Sequence, residues 1–258
     1  MRILLTNDDG IDAPGFAVLE RLAAALSDDV WIVAPAEEQS GAGHSLTLSR
    51  PVRLRRLGER RFAVAGTPTD AVMLGLAQVM KDSRPDLILS GVNRGANLAE
   101  DVTYSGTVSA AMEGALAGVR SIALSQAYSR EGMGDTVPFA AAEAWAGRVL
   151  KPLLDQPFAP RTLVNVNFPA LAPDAVRGIR VCRQGFHDYG RLRIVERTDP
   201  RGYPYYWFGL APTAPSPGHV TDLEAVADGY ISVTPLALDL TDESGLGALR
   251  DRFAAEVG

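Results

Sequence analysis

Cysteine is nearly missing from this chain of 258 residues, with Cys182 the only one. A single thiol excludes an intramolecular disulfide and any metal site built on several cysteines, and it fits a reducing compartment. Histidine is almost as scarce, at three residues. No Gly-x-Ser-x-Gly elbow occurs either, so nothing supports serine-hydrolase chemistry. Positive charge is not in excess. The 25 Lys and Arg stand against 31 Asp and Glu, a formal net charge of -6 that argues against a general binder of nucleic acid or of a membrane surface. No apolar stretch approaches the roughly 20 residues of a membrane-spanning helix, and the N-terminus lacks a basic segment followed by an apolar one. A protein of the cytoplasm is the expectation. Hydrophobic residues make up 47% of the chain, and its length allows a sizeable core, as one domain or one domain with an appendage.

The first dozen residues organise the rest. Ile3, Leu4 and Leu5 form a short continuous apolar run, the mark of a strand buried on both faces of a parallel sheet. The run breaks into Asn7-Asp8-Asp9-Gly10, and Pro14 then opens a segment with Phe16, Leu19, Leu22, Ala23 and Leu26 at helical spacing. In open α/β sheets the ligand site lies off the carboxyl ends of the strands, so Asp8 and Asp9 stand where chemistry is expected. Two adjacent carboxylates aimed into a crevice repel unless a cation joins them, and a hard divalent ion such as Mg²⁺ or Mn²⁺ prefers oxygen ligands. An Asx turn or helix cap with a solvated neighbour is the plainer alternative.

Further strand exits repeat the pattern. Residues 30–34 read as a buried strand that gives way at Pro35 to a polar, glycine-rich loop carrying Ser40 and His44. Residues 52–57 and 62–65 look like a β-hairpin. A helix follows from Gly66-Thr67-Pro68 with Val72, Met73, Leu76, Val79 and Met80 as its apolar face. Leu87 to Leu89 form a strand leading into a loop with Asn93 and Asn97. Ser105-Gly106-Thr107 then opens a helix with Met112, Leu116 and Val119 as its apolar positions. Exposed N–H groups in that first turn, with two hydroxyls, suit a phosphate, while a simple serine cap is the alternative. Strands are expected again at 122–124, 163–169, 179–183 and 229–235, with helices at 139–154, 221–226 and 246–257. Residues 185–217 are rich in Arg, Tyr, Gly and Pro and gather Tyr203, Tyr205, Tyr206, Trp207 and Phe208. That composition suits an extended β-arm exposing apolar surface to a partner subunit, with a base-stacking platform as the alternative.

The expected architecture is a Rossmann-like α/β fold, a mostly parallel sheet with helices on both faces, extended by a C-terminal β-arm and helix used in oligomerisation. Residues 1–178 form the expected catalytic core. Residues 179–258 form the expected oligomerising part: arm, returning strand and C-terminal helix.

Five motifs in order make the chain resemble the SurE family, the survival-protein 5′/3′-nucleotidases. They are Leu5-Thr6-Asn7-Asp8-Asp9-Gly10-Ile11, Ala34-Pro35 through Gln39-Ser40-Gly41, Ser90 through Asn97, Tyr104-Ser105-Gly106-Thr107-Val108, and Gly229-Tyr230-Ile231-Ser232-Val233-Thr234-Pro235. Ser109 stands where glycine or alanine is expected. The resemblance implies metal-dependent hydrolysis of nucleoside monophosphates, some activity on short polyphosphate, and a homodimer or homotetramer. It implies one divalent cation, Mg²⁺ or Mn²⁺, held by Asp8, Asp9, Ser40 and Asn93. Asn97, Ser105, Gly106 and Thr107 would hold the phosphate. Asp8 and Asp9 would be the catalytic pair, with a metal-activated water as nucleophile, one of the two aspartates as base or phosphoacceptor being the alternative, and His44 a candidate acid. A metal-dependent nucleotide-sugar transferase and a non-catalytic nucleotide sensor are the competing functional classes. Neither duplex nucleic acid nor membrane is expected as a partner.

Overall fold

The computed structural model describes residues 1–128, 139–187, 192–210 and 220–254. The apolar runs become the centre of one nine-stranded sheet. Near its centre lies β1 (Ile3–Thr6), fully buried, with β2 (Val30–Pro35) and β5 (Leu87–Arg94) parallel on either side. Beyond β2 lie β4 (Arg61–Val64), parallel to it, and β3 (Leu54–Arg56), antiparallel, which close the hairpin expected from the sequence. Beyond β5 come β6 (Arg120–Gln126) and β7 (Thr162–Phe168), both parallel. The sheet ends with β11 (Ile231–Ala237), antiparallel to β7, and β8 (Ile179–Val181), parallel to β11. Both of these last strands lie beyond residue 178 and extend the main sheet.

Continuous apolar strands need cover on both faces. Ile3 and Leu5 pack beneath α1 (Pro14–Ala24) and α4 (Ala140–Leu154), whereas Leu4 and Ile88 pack beneath α2 (Pro68–Leu74) and α3 (Gly106–Leu116). Proline at the first position starts α1, and a reciprocal Thr67–Asp70 capping box starts α2. The remaining helices are α5 (Asp222–Ala227) and α6 (Glu243–Ala254).

Three expectations are corrected here. Met73 is 40% exposed, because α2 buries Pro68, Ala71, Val72 and Gly75 at i, i+3, i+4, i+7 spacing before a π-helical turn over Gly75–Val79. Leu116 is 51% exposed, because α3 docks through its small residues Ala110, Ala111, Gly114 and Ala115. Residues 90–94 are strand rather than loop, since β5 continues to Arg94 across a register shift between Ser90 and Asn93.

The aromatic segment forms a separate antiparallel hairpin, β9 (Leu192–Thr198) and β10 (Pro204–Leu210). Residues 188–191 and 211–217 of the expected arm and 255–257 of the expected last helix lie outside the described residues. The described part of α6 buries none of its side chains.

Candidate active site

The strand order reverses at β1: the chain runs from β1 outward to β2, then returns to the other side with β5. In a doubly wound sheet the crevice opens at that reversal, and Asn7-Asp8-Asp9-Gly10 sits in it. The Asn7 amide donates to the Gly10 carbonyl at 2.7 Å, and Gly10 takes φ +98°, which closes the turn tightly after the strand. Backbone bonds stitch the neighbouring exits to it. Gln39 N–H donates to Asp8 O at 2.7 Å, and Gly43 N–H donates to Tyr104 O at 3.1 Å. Arg94 N–H donates to Asp9 Oδ2 at 2.9 Å.

Asp8 is 4% exposed and lies against the start of α3. The Thr107 hydroxyl donates to its Oδ1. Only glycine fits at 106, because a Cβ there would stand 2.7 Å from Asp8 Cβ and 3.0 Å from its Oδ2. Burial pushes the Asp8 carboxyl up to about 6, and the Asp9 charge adds to the rise against the Thr107 hydrogen bond. Burial also raises Asp9, with Arg94 opposing. Among the described residues no cationic side chain forms an ion pair with either carboxylate. The pair therefore carries negative charge offset, among these residues, only by the Arg94 charge acting on Asp9.

A cavity of about 980 Å³ opens over this edge, and Asp8, Ser40, Asn93, Asn97 and Ser105 all line it. The loops thus bring together five of the residues singled out from the sequence. Asn93 donates its amide N–H to Gly95 O at 2.9 Å, which leaves its Oδ1 as the end able to meet a cation. Ser40 donates to Glu38 at 2.8 Å, so its own oxygen keeps acceptor capacity. Carboxylate, amide and hydroxyl oxygens around two unpaired charges fit a hard divalent cation. Asn7 Oδ1, buried without a hydrogen-bond partner among the described residues, adds an unsatisfied oxygen in the same turn.

The other expected residues take different places. Thr107 is fully buried and turned to Asp8, and Gly106 packs on Asp8, so both support the carboxylate and lie outside the cavity lining. Ser105 caps α3 by accepting from Val108 N–H at 3.1 Å and is the member of the triplet that faces the cavity. His44 pairs through Nε2 with Glu113 Oε2 at 2.9 Å and is not among the lining residues.

Sequence reasoning missed the residues that hold Asn97. Its N–H donates to Asn167 Oδ1 at 2.7 Å, and its carbonyl accepts from Asn165 and Asn167 at 2.8 and 3.1 Å. Its side-chain amide donates to Ser125 at 2.8 Å. The available signal was two asparagines alternating with valines in the apolar run of β7, since buried amides there demand partners. Also missed was a second cluster at the cavity rim, where ligand atoms of Glu100, Asp101 and His187 lie within 4.8 Å of one another. His187 closes on Glu100 Oε2 through its N–H at 2.9 Å and Nδ1 at 3.2 Å.

Comparison with known proteins gives the chain a family. Residues 3–191 match the profile of the family described as Survival protein SurE. A 5′-nucleotidase SurE from Rhizorhabdus wittichii is 70% identical over 248 residues, covering 96% of this chain and 98% of the relative. Another from Erythrobacter litoralis is 62% identical over 253 residues, covering 98% and 100%. Among solved structures, the SurE protein of Aquifex aeolicus matches with a TM-score of 0.83 at 39% identity, over 97% of this chain and 98% of that one.

Proposed function

The chain belongs to the SurE family of survival proteins, and from that premise we propose that it is a 5′-nucleotidase, releasing phosphate from nucleoside 5′-monophosphates by hydrolysis. The observation that carries the reading is the convergence of Asp8, Ser40, Asn93, Asn97 and Ser105 on one cavity, at a pair of buried carboxylates that form no ion pair with a cationic side chain among the described residues. The finer parts belong to the same proposal. Asp8, Asp9, Ser40 and Asn93 would hold one divalent cation per subunit, Mg²⁺ or Mn²⁺. Nucleoside 3′-monophosphates and short polyphosphate would be further substrates, and the protein would assemble as a homodimer or homotetramer in the cytoplasm. Among the described residues no helix is long and apolar enough to cross a membrane.

A cation bound there would supply a polarised phosphate oxygen and a bound water of lowered pKa. The chain's own residues do the rest. Thr107 fixes Asp8 at the cavity wall through a hydroxyl hydrogen bond, and the backbone of Arg94 fixes Asp9 beside it, so both carboxylates are held in place before substrate arrives. Ser105 at the head of α3 offers a hydroxyl to a phosphate oxygen, and the dipole of an 11-residue helix favours the anion. Asn97, locked by Ser125, Asn165 and Asn167, presents a fixed amide edge to charge that develops on the equatorial oxygens.

Incubation with AMP and Mg²⁺ or Mn²⁺, with no acceptor present, tests the reading. Release of inorganic phosphate is the expected result. Binding without release would make the protein a sensor. Turnover that requires an added sugar acceptor would make it a transferase. Either result overturns the nucleotidase.

A further inference from the structure

Oxygen donors account for one end of the cavity, and nothing in the hydrolysis described above uses the other. Tyr104, Tyr128 and Phe208 line the same cavity as Asp8 and Asn93. They come from three distant places: the approach to α3, the exit of β6, and strand β10 of the hairpin. Their side chains are 66%, 40% and 77% exposed, an expensive state for large rings with no role in packing. Among the described residues none of the three joins a ring pair or a cation–π contact. Gly95, at φ +120°, runs alongside the Tyr128 ring.

The hairpin shows the same division. Alternation along β10 places Tyr205 and Trp207 on one face, edge to face at 6.4 Å. Phe208 belongs to the opposite face and reaches the cavity. The volume of about 980 Å³ lies within the range of cavities that take a small ligand whole. A phosphate held among Asp8, Asn97 and Ser105 leaves the remainder of a nucleotide in the part of the cavity walled by these rings.

We propose that Tyr104, Tyr128 and Phe208 form a stacking subsite for the substrate's aromatic base, so that nucleotides are selected over phosphomonoesters that carry no base. This rests on the nucleotidase reading and deepens it. Every nucleobase offers a π-face, and stacking on one protein ring changes affinity by roughly fivefold or more.

The test compares kcat/KM for AMP and for ribose 5-phosphate in the wild type, Phe208→Leu and Tyr128→Leu. Leucine keeps apolar bulk at exposed positions and removes only the aromatic face. The wild type should favour AMP, and each variant should lower the AMP to ribose 5-phosphate ratio by roughly fivefold or more. An unchanged ratio, including a parallel fall for both substrates, overturns the subsite while leaving phosphate hydrolysis intact. Binding of adenosine by saturation-transfer NMR needs no turnover and separates the two readings. Contact signals from the base protons in the wild type that weaken in both variants support the subsite even if no phosphate is released. Absent or equal signals overturn it.

Discussion

On the proposed reading Asp8 and Asp9 would concentrate the chemistry into two adjacent side chains, and their burial without an ion pair to a cationic side chain among the described residues is what favours a cation there. Replacing either by asparagine keeps the shape and removes the charge. Phosphate release from AMP should fall by roughly 10²-fold or more in Asp8→Asn and in Asp9→Asn, and near-normal turnover in either would remove that residue from the site. The raised pKa adds a second expectation. Asp8 titrates at about 6 when folded against 3.8 in the unfolded reference, so the folded state binds the extra proton between those values. Its contribution to stability is complete below about pH 4 and is lost as pH rises through about 6. In EDTA, Asp8→Asn should therefore melt higher than wild type by several degrees near pH 8, with the gap closing towards pH 4. Equal melting curves across that range would contradict the buried, uncompensated charge. At this scale much of the site was legible. Asp8, Ser40, Asn93, Asn97 and Ser105 each follow an apolar run or open a helix, and such positions converge on one sheet edge. What was not legible is direction: whether the Thr107 hydroxyl meets phosphate or Asp8 depends on how closely α3 docks, and His44 is diverted by Glu113, 69 positions away.

The loop between β5 and α3 is held by elements far from it in sequence. Ala99 takes φ +51°, uncommon for a residue with a side chain, and its N–H donates to Asp222 at 2.9 Å. The same carboxylate accepts from Gly185 N–H at 2.7 Å and Leu223 N–H at 2.9 Å, and Asp222 is fully buried. One side chain at the start of α5 thus ties the site loop to the segment entering the hairpin. Asp222→Ala strands buried N–H donors and should cost about 2–4 kcal/mol in urea unfolding. Amide exchange at Ala99 and Gly185 should accelerate together, and unaltered protection at both would show that the loop holds its shape without this anchor. From the sequence Asp222 reads only as the first turn of a helix. The helix was legible, but the partners were not, because hydrogen bonds across 123 and 37 residues leave no local pattern. The same limit explains Met73 and Leu116, where apolar character was clear but the docking face was set by smaller neighbours.

At the scale of the whole molecule, the described residues form a nine-stranded sheet with the candidate site at one edge and a separate two-stranded hairpin. The central strands were the most legible part, since continuous apolar runs in a parallel sheet demand cover on both faces. Less legible was the way β8 and β11 join the same sheet from beyond the catalytic motifs, a matter of long-range pairing. The hairpin exposes Ile194, Tyr205, Tyr206 and Trp207, and the C-terminal α6 leaves Leu249 and Phe253 uncovered. Such surface is expected to be covered by a second copy of the chain. Replacing residues 192–210 by a short Gly-Ser link should reduce the mass measured by light scattering from a dimer or tetramer to a smaller species. An unaltered mass would refute assembly through the hairpin. The central claim, however, is that this edge hydrolyses nucleotides with a divalent cation. The most direct measurement is phosphate release from AMP by protein stripped with EDTA, repeated after Mg²⁺ or Mn²⁺ is restored. Release that disappears on stripping and returns with the metal is the predicted result; release that persists in EDTA, or none under either metal, would contradict the account.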